Sequence, residues 1–167
     1  MPVLDLTELP SLLKKGQCLL GLDPGSTVIG VAISDPDLRV ASPLTNITRG
    51  KFTEDAAALI KIIRERNVGG LVVGLPKNMD GSEGPSAQSA RAFVRNLLEK
   101  GSLPDSGMPM VFWDERLSSA AVERFLLADD MSRKRRDDII DKAAAAYILQ
   151  GALDRLRNDF PGQSKNN

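Results

Sequence analysis

Apolar positions along the chain fall into two rhythms. Short continuous apolar runs mark strands: Cys18 to Leu22, Val28 to Ile33, Leu71 to Leu75 and Met110 to Trp113. Longer stretches repeat at i, i+3, i+4 and i+7 and mark helices with one buried face. Ala56, Leu59, Ile60 and Ile63 form one such stripe, and Ala90, Phe93, Val94, Leu97 and Leu98 form a second. A third begins near Asp137-Asp138 and runs through Ile140, Ala144, Tyr147, Ile148 and Gly151 to about Leu156. Its Ala143–Ala146 run makes that helix thin, so it can lie close against a sheet. Arg39 to Thr48 reads as a further strand, placed at an edge by Pro43. The predicted order is β-β-β-α-β-α-β-α-α, opening with an antiparallel meander. The wholly apolar run 71–75 follows a helix and reads as a central parallel strand covered on both faces.

Boundaries follow from local chemistry. Thr53 is placed as the N-cap of the first long helix, with Glu54 and Asp55 in its first turn, and Asn67 to Gly70 as its exit. Ser86 is placed as the cap of the next helix, and Ser118 or Ser119 as the cap of one carrying Val122, Phe125 and Leu126. Ala128 to Arg136 reads as an irregular, charged connection. Leu4, Leu6, Leu9, Leu12 and Leu13 suggest a short turn of helix on the body, interrupted by Pro2 and Pro10. The division expected is a peripheral extension over 1–16, one domain over 17–157 and a tail over 158–167.

Composition narrows the class. With 167 residues and 42% hydrophobic content, the chain can build a core and is not of the disordered type. No apolar stretch approaches the ~20 residues of a membrane helix, and Met1 to Gly16 lacks the form of a signal peptide, so the expected location is cytoplasmic. Cys18 is the single cysteine, read as a small buried hydrophobe. The 22 basic and 22 acidic residues cancel, so any case for nucleic acid has to be local. The chain has no histidine. That removes Ser-His-Asp and Cys-His mechanisms and the usual zinc sets, leaving carboxylates with or without a hard cation such as Mg²⁺ or Mn²⁺.

The carboxylates sit where strands end. Asp23 terminates the first apolar run, and Pro24-Gly25 turns the chain. A lone carboxylate held there costs several kcal/mol unless cations or donors meet it. Asp114 and Glu115 follow the last strand, and Asp138 and Asp141, three apart, share a face near the start of the last helix. If the first and last strands are near neighbours, these acids converge. Two Mg²⁺ ions about 4 Å apart would relieve their repulsion and serve phosphodiester cleavage. The polar loop from Pro76 to Pro85 leaves the C-terminal end of a strand, the favoured ligand position in α/β sheets. Each of these residues also has a plainer reading: a turn cap for Asp23, a salt bridge within Asp114-Glu115-Arg116, a helix-cap charge for Asp138. Arg133-Lys134-Arg135-Arg136 is either a phosphate grip or a solvated loop; Lys77 and Asn78 either touch a substrate backbone or shape their loop. Trp113, inside a strand pattern, reads as core.

Taken together, Asp23-Pro-Gly25 with Gly30-Val-Ala, Val73-Gly-Leu-Pro-Lys-Asn-Met-Asp-Gly81, Asp114-Glu-Arg-Leu-Ser118 and Asp141-Lys-Ala-Ala resemble the YqgF family over roughly residues 17 to 156. These are RNase H-like proteins related to the Holliday junction resolvase RuvC. The first motif alone is shared with sugar kinases and actin-like ATPases; the second and third together are specific. The resemblance implies an α/β RNase H-like fold with a five-stranded mixed sheet in order 3-2-1-4-5. It implies a metal-dependent endonuclease processing the 5′ end of pre-16S rRNA in ribosome biogenesis, with catalytic and metal-binding acids at Asp23, Asp114 or Glu115, and Asp141, joined by Asp138. Lys77, Asn78, Arg116 and the basic run Arg133, Lys134, Arg135 and Arg136 would face nucleic acid. RuvC-type sites carry a fourth-strand acid, whereas this chain has Val72-Val-Gly74 there, so the Asp114-Glu115 pair must substitute. The alternatives are a Holliday junction resolvase on branched DNA, which needs a dimer where the rRNA cut needs only a monomer, and a non-catalytic nucleic-acid-binding module.

Overall fold

The computed structural model describes residues 5–100, 108–117 and 133–159, with side chains in the last span from Lys142 to Asn158. Five strands form one sheet: β1 (Cys18–Pro24), β2 (Val28–Ser34), β3 (Ala41–Thr48), β4 (Val68–Leu75) and β5 (Met110–Asp114). Their order is β3-β2-β1-β4-β5, as the resemblance implied. β1 runs antiparallel to β2 and parallel to β4, and β5 runs parallel to β4. Pro43 lies on the edge strand β3, where the register shifts opposite Val31 and Ala32, so its missing N–H costs the ladder little.

Helices cover both faces. A short helix α1 (Leu9–Leu12) precedes the sheet; α2 (Phe52–Glu65) and α3 (Pro85–Lys100) link strands, and α4 (Arg133–Asp159) ends the described chain. The α2 and α3 stripes, with Leu59, Ile63, Phe93 and Leu97, pack on Leu20, Leu22, Val31, Leu71 and Val73. The opposite face carries Leu19, Val72, Val111 and Trp113 under Ala145, Ile148 and Leu149 of α4. Alternation along each strand thus sorts residues between an α2/α3 face and an α4 face. β4 is buried throughout, as its apolar run predicted.

Several boundaries differ from the sequence reading. α2 begins at Phe52 with Lys51 as N-cap and no side-chain cap; buried Asp55 instead accepts a hydrogen bond from the Gly50 N–H (3.1 Å). α3 begins at Pro85, whose missing N–H is harmless at a first helical position, so Ser86 lies inside it. Gly69 and Gly70 belong to β4, and Asn67 leaves α2 with a positive φ of 54°. Leu9, Leu13, Leu19 and Gln17 crowd those two glycines, and the N-terminal segment seats there. Pro10 falls in the first turn of α1 and does not interrupt it, and Leu9 is fully buried.

α4 begins at Arg133, so Arg133 to Arg136 form its first turn and not a loop. Asp138 and Asp141 therefore stand in its second and third turns, past the reach of the field at a helix N-terminus. The helix expected to follow Ser118 or Ser119 lies outside the described residues. Among the described residues no helix is long and apolar enough to cross a membrane.

Candidate active site

Asp23 is half-buried at the end of β1. Its turn is fixed by the Gly25 N–H, which donates to the Val28 carbonyl (2.9 Å), and by Arg49 Nη1, which donates to the Gly25 carbonyl (2.8 Å). The parallel register pairs Leu22 with Val73, so the next residues, Asp23 and Gly74, are level on adjacent strands, about 5 Å apart. Gly74 pairs in turn with Trp113. This row faces α4. An ideal Cβ on Gly74 would meet Ile148 of α4, and the Trp113 ring lies against Gly151 of α4.

Glu115 opens the 3₁₀ turn after β5 (Glu115–Leu117) and sends its carboxylate back over β4. Its Oε1 lies 2.9 Å from where a Gly74 Cβ would stand. Asp23 and Glu115 thus share one face of the sheet beside the same glycine. Asp114, one residue earlier, alternates with Trp113 and belongs to the opposite face, with Phe112.

Asp114 has its own partner. Arg116 Nη2 donates to Oδ2 (2.6 Å), Nε lies 3.0 and 3.1 Å from the two oxygens, and the Arg116 N–H donates to Oδ1 (3.0 Å). The guanidinium holds Asp114 below the usual carboxylate range, with nearby Lys77 adding to the effect, and Asp114 in turn pushes Arg116 up. Arg116 Nη1 also donates to the Met79 carbonyl (3.3 Å), so it fastens the loop after β4 to the exit of β5.

That loop is built from its own polar groups. The Asn78 amide donates to Ser82 Oγ (3.0 Å), Ser82 Oγ and N–H both donate to Asp80 Oδ1 (2.6 and 2.9 Å), and Gly81 takes a φ of 88°. These bonds hold Asp80 below its ordinary range. At the loop's end Arg91 grips both oxygens of Glu83 (2.5 and 2.7 Å) and stacks 4.9 Å over the Phe112 ring. Asn78 thus takes part in the loop's own bonding, while Met79 at its tip is almost fully exposed.

Asp138 and Asp141 have backbone positions in α4, but their side chains lie outside the described residues, as do those of Arg133, Lys134, Arg135 and Arg136. The course of α4 fixes which end of the sheet Asp141 approaches. Gln150 bonds to Arg39 and Ala41, at the end of the sheet far from Asp23. Ala145 and Leu149 lie over Gly21. The turn before Ala145, which holds Asp141, therefore lies toward the Asp23 end. Among the described residues no three acids or thiols stand close enough to hold a metal. Sequence reasoning missed Gly74 and Arg49, the first because a glycine in an apolar run carries no chemical signal.

A profile of the RuvX family, described as Holliday junction resolvase, matches residues 17–155. A Rhodospirillum centenum protein is 55% identical over 157 residues, 94% of this chain and 84% of its own length. A Paracoccus denitrificans protein is 63% identical over 137 residues, 82% of this chain and 84% of its own. Both bear the name "Putative pre-16S rRNA nuclease". Among solved structures, T. thermophilus RuvC in complex with Holliday junction substrate aligns with a TM-score of 0.48 and 13% identity, over 84% of this chain and 96% of that one.

Proposed function

Because the chain belongs to the RuvX family, and is a nuclease by that membership, we propose that it is a divalent-metal-dependent endonuclease trimming the 5′ end of pre-16S rRNA in the cytoplasm. The observation that carries the reading is the delivery of Asp23 and Glu115 to one face of the sheet beside Gly74. The two carboxylates offer only hard oxygen donors, the set that suits Mg²⁺ or Mn²⁺, and a cation offsets their mutual repulsion. Asp23, Glu115 and, from α4, Asp141 would hold the metal, with Asp138 one turn away. A bound cation supplies Lewis acidity toward the phosphodiester. Asp114 acts through Arg116, by keeping the β4–α3 loop against the β5 exit.

Lys77 and the Arg133–Arg136 turn would hold substrate phosphates. Four bases at a helix N-terminus oppose the helix dipole, and a phosphate arriving there offsets both. Asp23→Asn keeps the carboxylate's shape and removes its charge. The expected result is an unchanged circular dichroism spectrum and loss of Mg²⁺-dependent cleavage of a pre-16S transcript to background. An unaltered rate would overturn the reading.

The name of the matching family favours a second reading, resolution of four-way DNA junctions. Symmetric cutting of two strands needs a dimer, so sedimentation combined with cleavage of a four-way junction against the transcript separates the two. No cleavage of either substrate, with no Mg²⁺ binding by calorimetry, would leave a non-catalytic binding module.

A further inference from the structure

β4 carries no acid, and at the level of Asp23 it carries no side chain at all. The space a Cβ would take at Gly74 is filled from two directions. From α4 come Cδ1 and Cγ1 of Ile148, 2.5 and 3.4 Å from the ideal Cβ position, and from the β5 exit comes Glu115 Oε1, at 2.9 Å. Both 2.5 and 2.9 Å are shorter than a Cβ tolerates, so any side chain at this position must displace something. Both atoms end side chains: Ile148 is fully buried and must repack within the core, and the Glu115 oxygen gives way only by shifting its carboxylate relative to the row that Asp23 shares.

We propose that Gly74 is a positioning residue: an opening in β4 through which Glu115, carried by the neighbouring strand, sets its carboxylate beside Asp23. The acid missing from the fourth strand is thereby supplied from the turn that follows the fifth. This rests on the metal-dependent reading above and deepens it. The rival explanation is packing alone, with glycine needed so that α4 can seat Ile148. Substitution can separate the two, because removing Cδ1 relieves the apolar contact and leaves the carboxylate contact intact.

The test places Gly74→Ala in an Ile148→Val background and compares it with Ile148→Val alone. The readouts are urea unfolding, Mn²⁺ affinity by calorimetry, and cleavage. The expected result is cooperative unfolding in both chains, with Mn²⁺ affinity lower by about tenfold or more in the chain carrying alanine. In a Glu115→Ala, Ile148→Val background the same Gly74→Ala change is expected to add nothing, since the group it displaces is gone.

Equal Mn²⁺ affinity with and without Gly74→Ala in the Ile148→Val chain would overturn the proposal, as would an undiminished effect in the absence of Glu115. If the Gly74→Ala, Ile148→Val chain does not fold, adding Glu115→Ala decides the matter. Recovery of folding identifies the carboxylate as the obstacle and supports the proposal; continued failure makes Gly74 a packing residue and overturns it. Failure of the metal-dependent reading itself gives a different signature, with Asp23→Asn leaving Mn²⁺ affinity and cleavage unchanged.

Discussion

Arg116 grips Asp114 through its guanidinium and through its own backbone N–H, while its second terminal nitrogen reaches the Met79 carbonyl. One side chain thus ties the end of β5 to the loop after β4, on the sheet face opposite the Asp23 row. Lysine offers a single point charge and cannot make the forked contact. Arg116→Lys is therefore expected to raise the titration midpoint of the Asp114 carboxyl toward its ordinary value, read by carbon-detected NMR of the carboxyl group. It is also expected to expose the Met79 loop to proteolysis. A midpoint that does not move would mean that the fork does not set the charge state of Asp114.

The same contact makes a signed prediction for acid. Asp114 has a depressed value in the folded chain because Arg116 bonds its charged form. Such a group contributes its stability above its unfolded value, near 3.9. That contribution is lost as pH falls from there through the lower folded value. Urea midpoints measured downward from pH 5 should fall more steeply for the native chain than for Asp114→Asn, which has no carboxyl to protonate. Parallel curves would remove Asp114 from the acid response.

Leu9 is fully buried and packs with Leu19, Val72, Val111 and Leu149, although the sequence places it in a peripheral extension. Truncating a buried leucine costs about 2–5 kcal/mol. Leu9→Ala is expected to lower the unfolding free energy read from urea denaturation by an amount in that range. A loss under half a kcal/mol would restore the peripheral description.

Patterns that depend on neighbours in sequence were readable, and those that depend on distant neighbours were not. The hairpin around Asp23 declared itself through an apolar run, an acid and Pro-Gly. The stripes of α2 and α3 followed from spacing. The assignment of Gly69 and Gly70 to β4 did not, because what makes them small is the crowding of Leu9, Leu13 and Gln17 from another segment. The start of α4 was hidden by four bases, which read as a loop and stand in its first turn. At the site, the sequence placed acids at the ends of β1 and β5 but left Asp114 and Glu115 equivalent. Alternation carried one step past β5 sets Glu115 with Trp113 and Asp114 with Phe112, but which of these two sets faces Asp23 follows only from the packing of α4 on the sheet.

Gly21 tests how firmly α4 is seated on the sheet. A Cβ there would stand 2.7 Å from Leu149 Cβ and 2.8 Å from the Ala145 carbonyl oxygen. Neither neighbour can rotate away, since one is a Cβ and the other is backbone, so the helix itself must lift. The chain's one tryptophan, Trp113, is 5% exposed, with its ring 3.0 Å from where a Gly151 Cβ would stand. A lifted α4 uncovers that ring. Gly21→Ala is therefore expected to destabilise the chain by about 1–3 kcal/mol, the usual range for overpacking, and to shift tryptophan emission to the red. The three atoms nearest that Cβ all belong to Leu149 and Ala145, so the contact tested is the one with α4. An unchanged spectrum together with unchanged stability would show that α4 does not rest on β1 at this point, and the approach of the Asp141 turn toward Asp23 would lose its support.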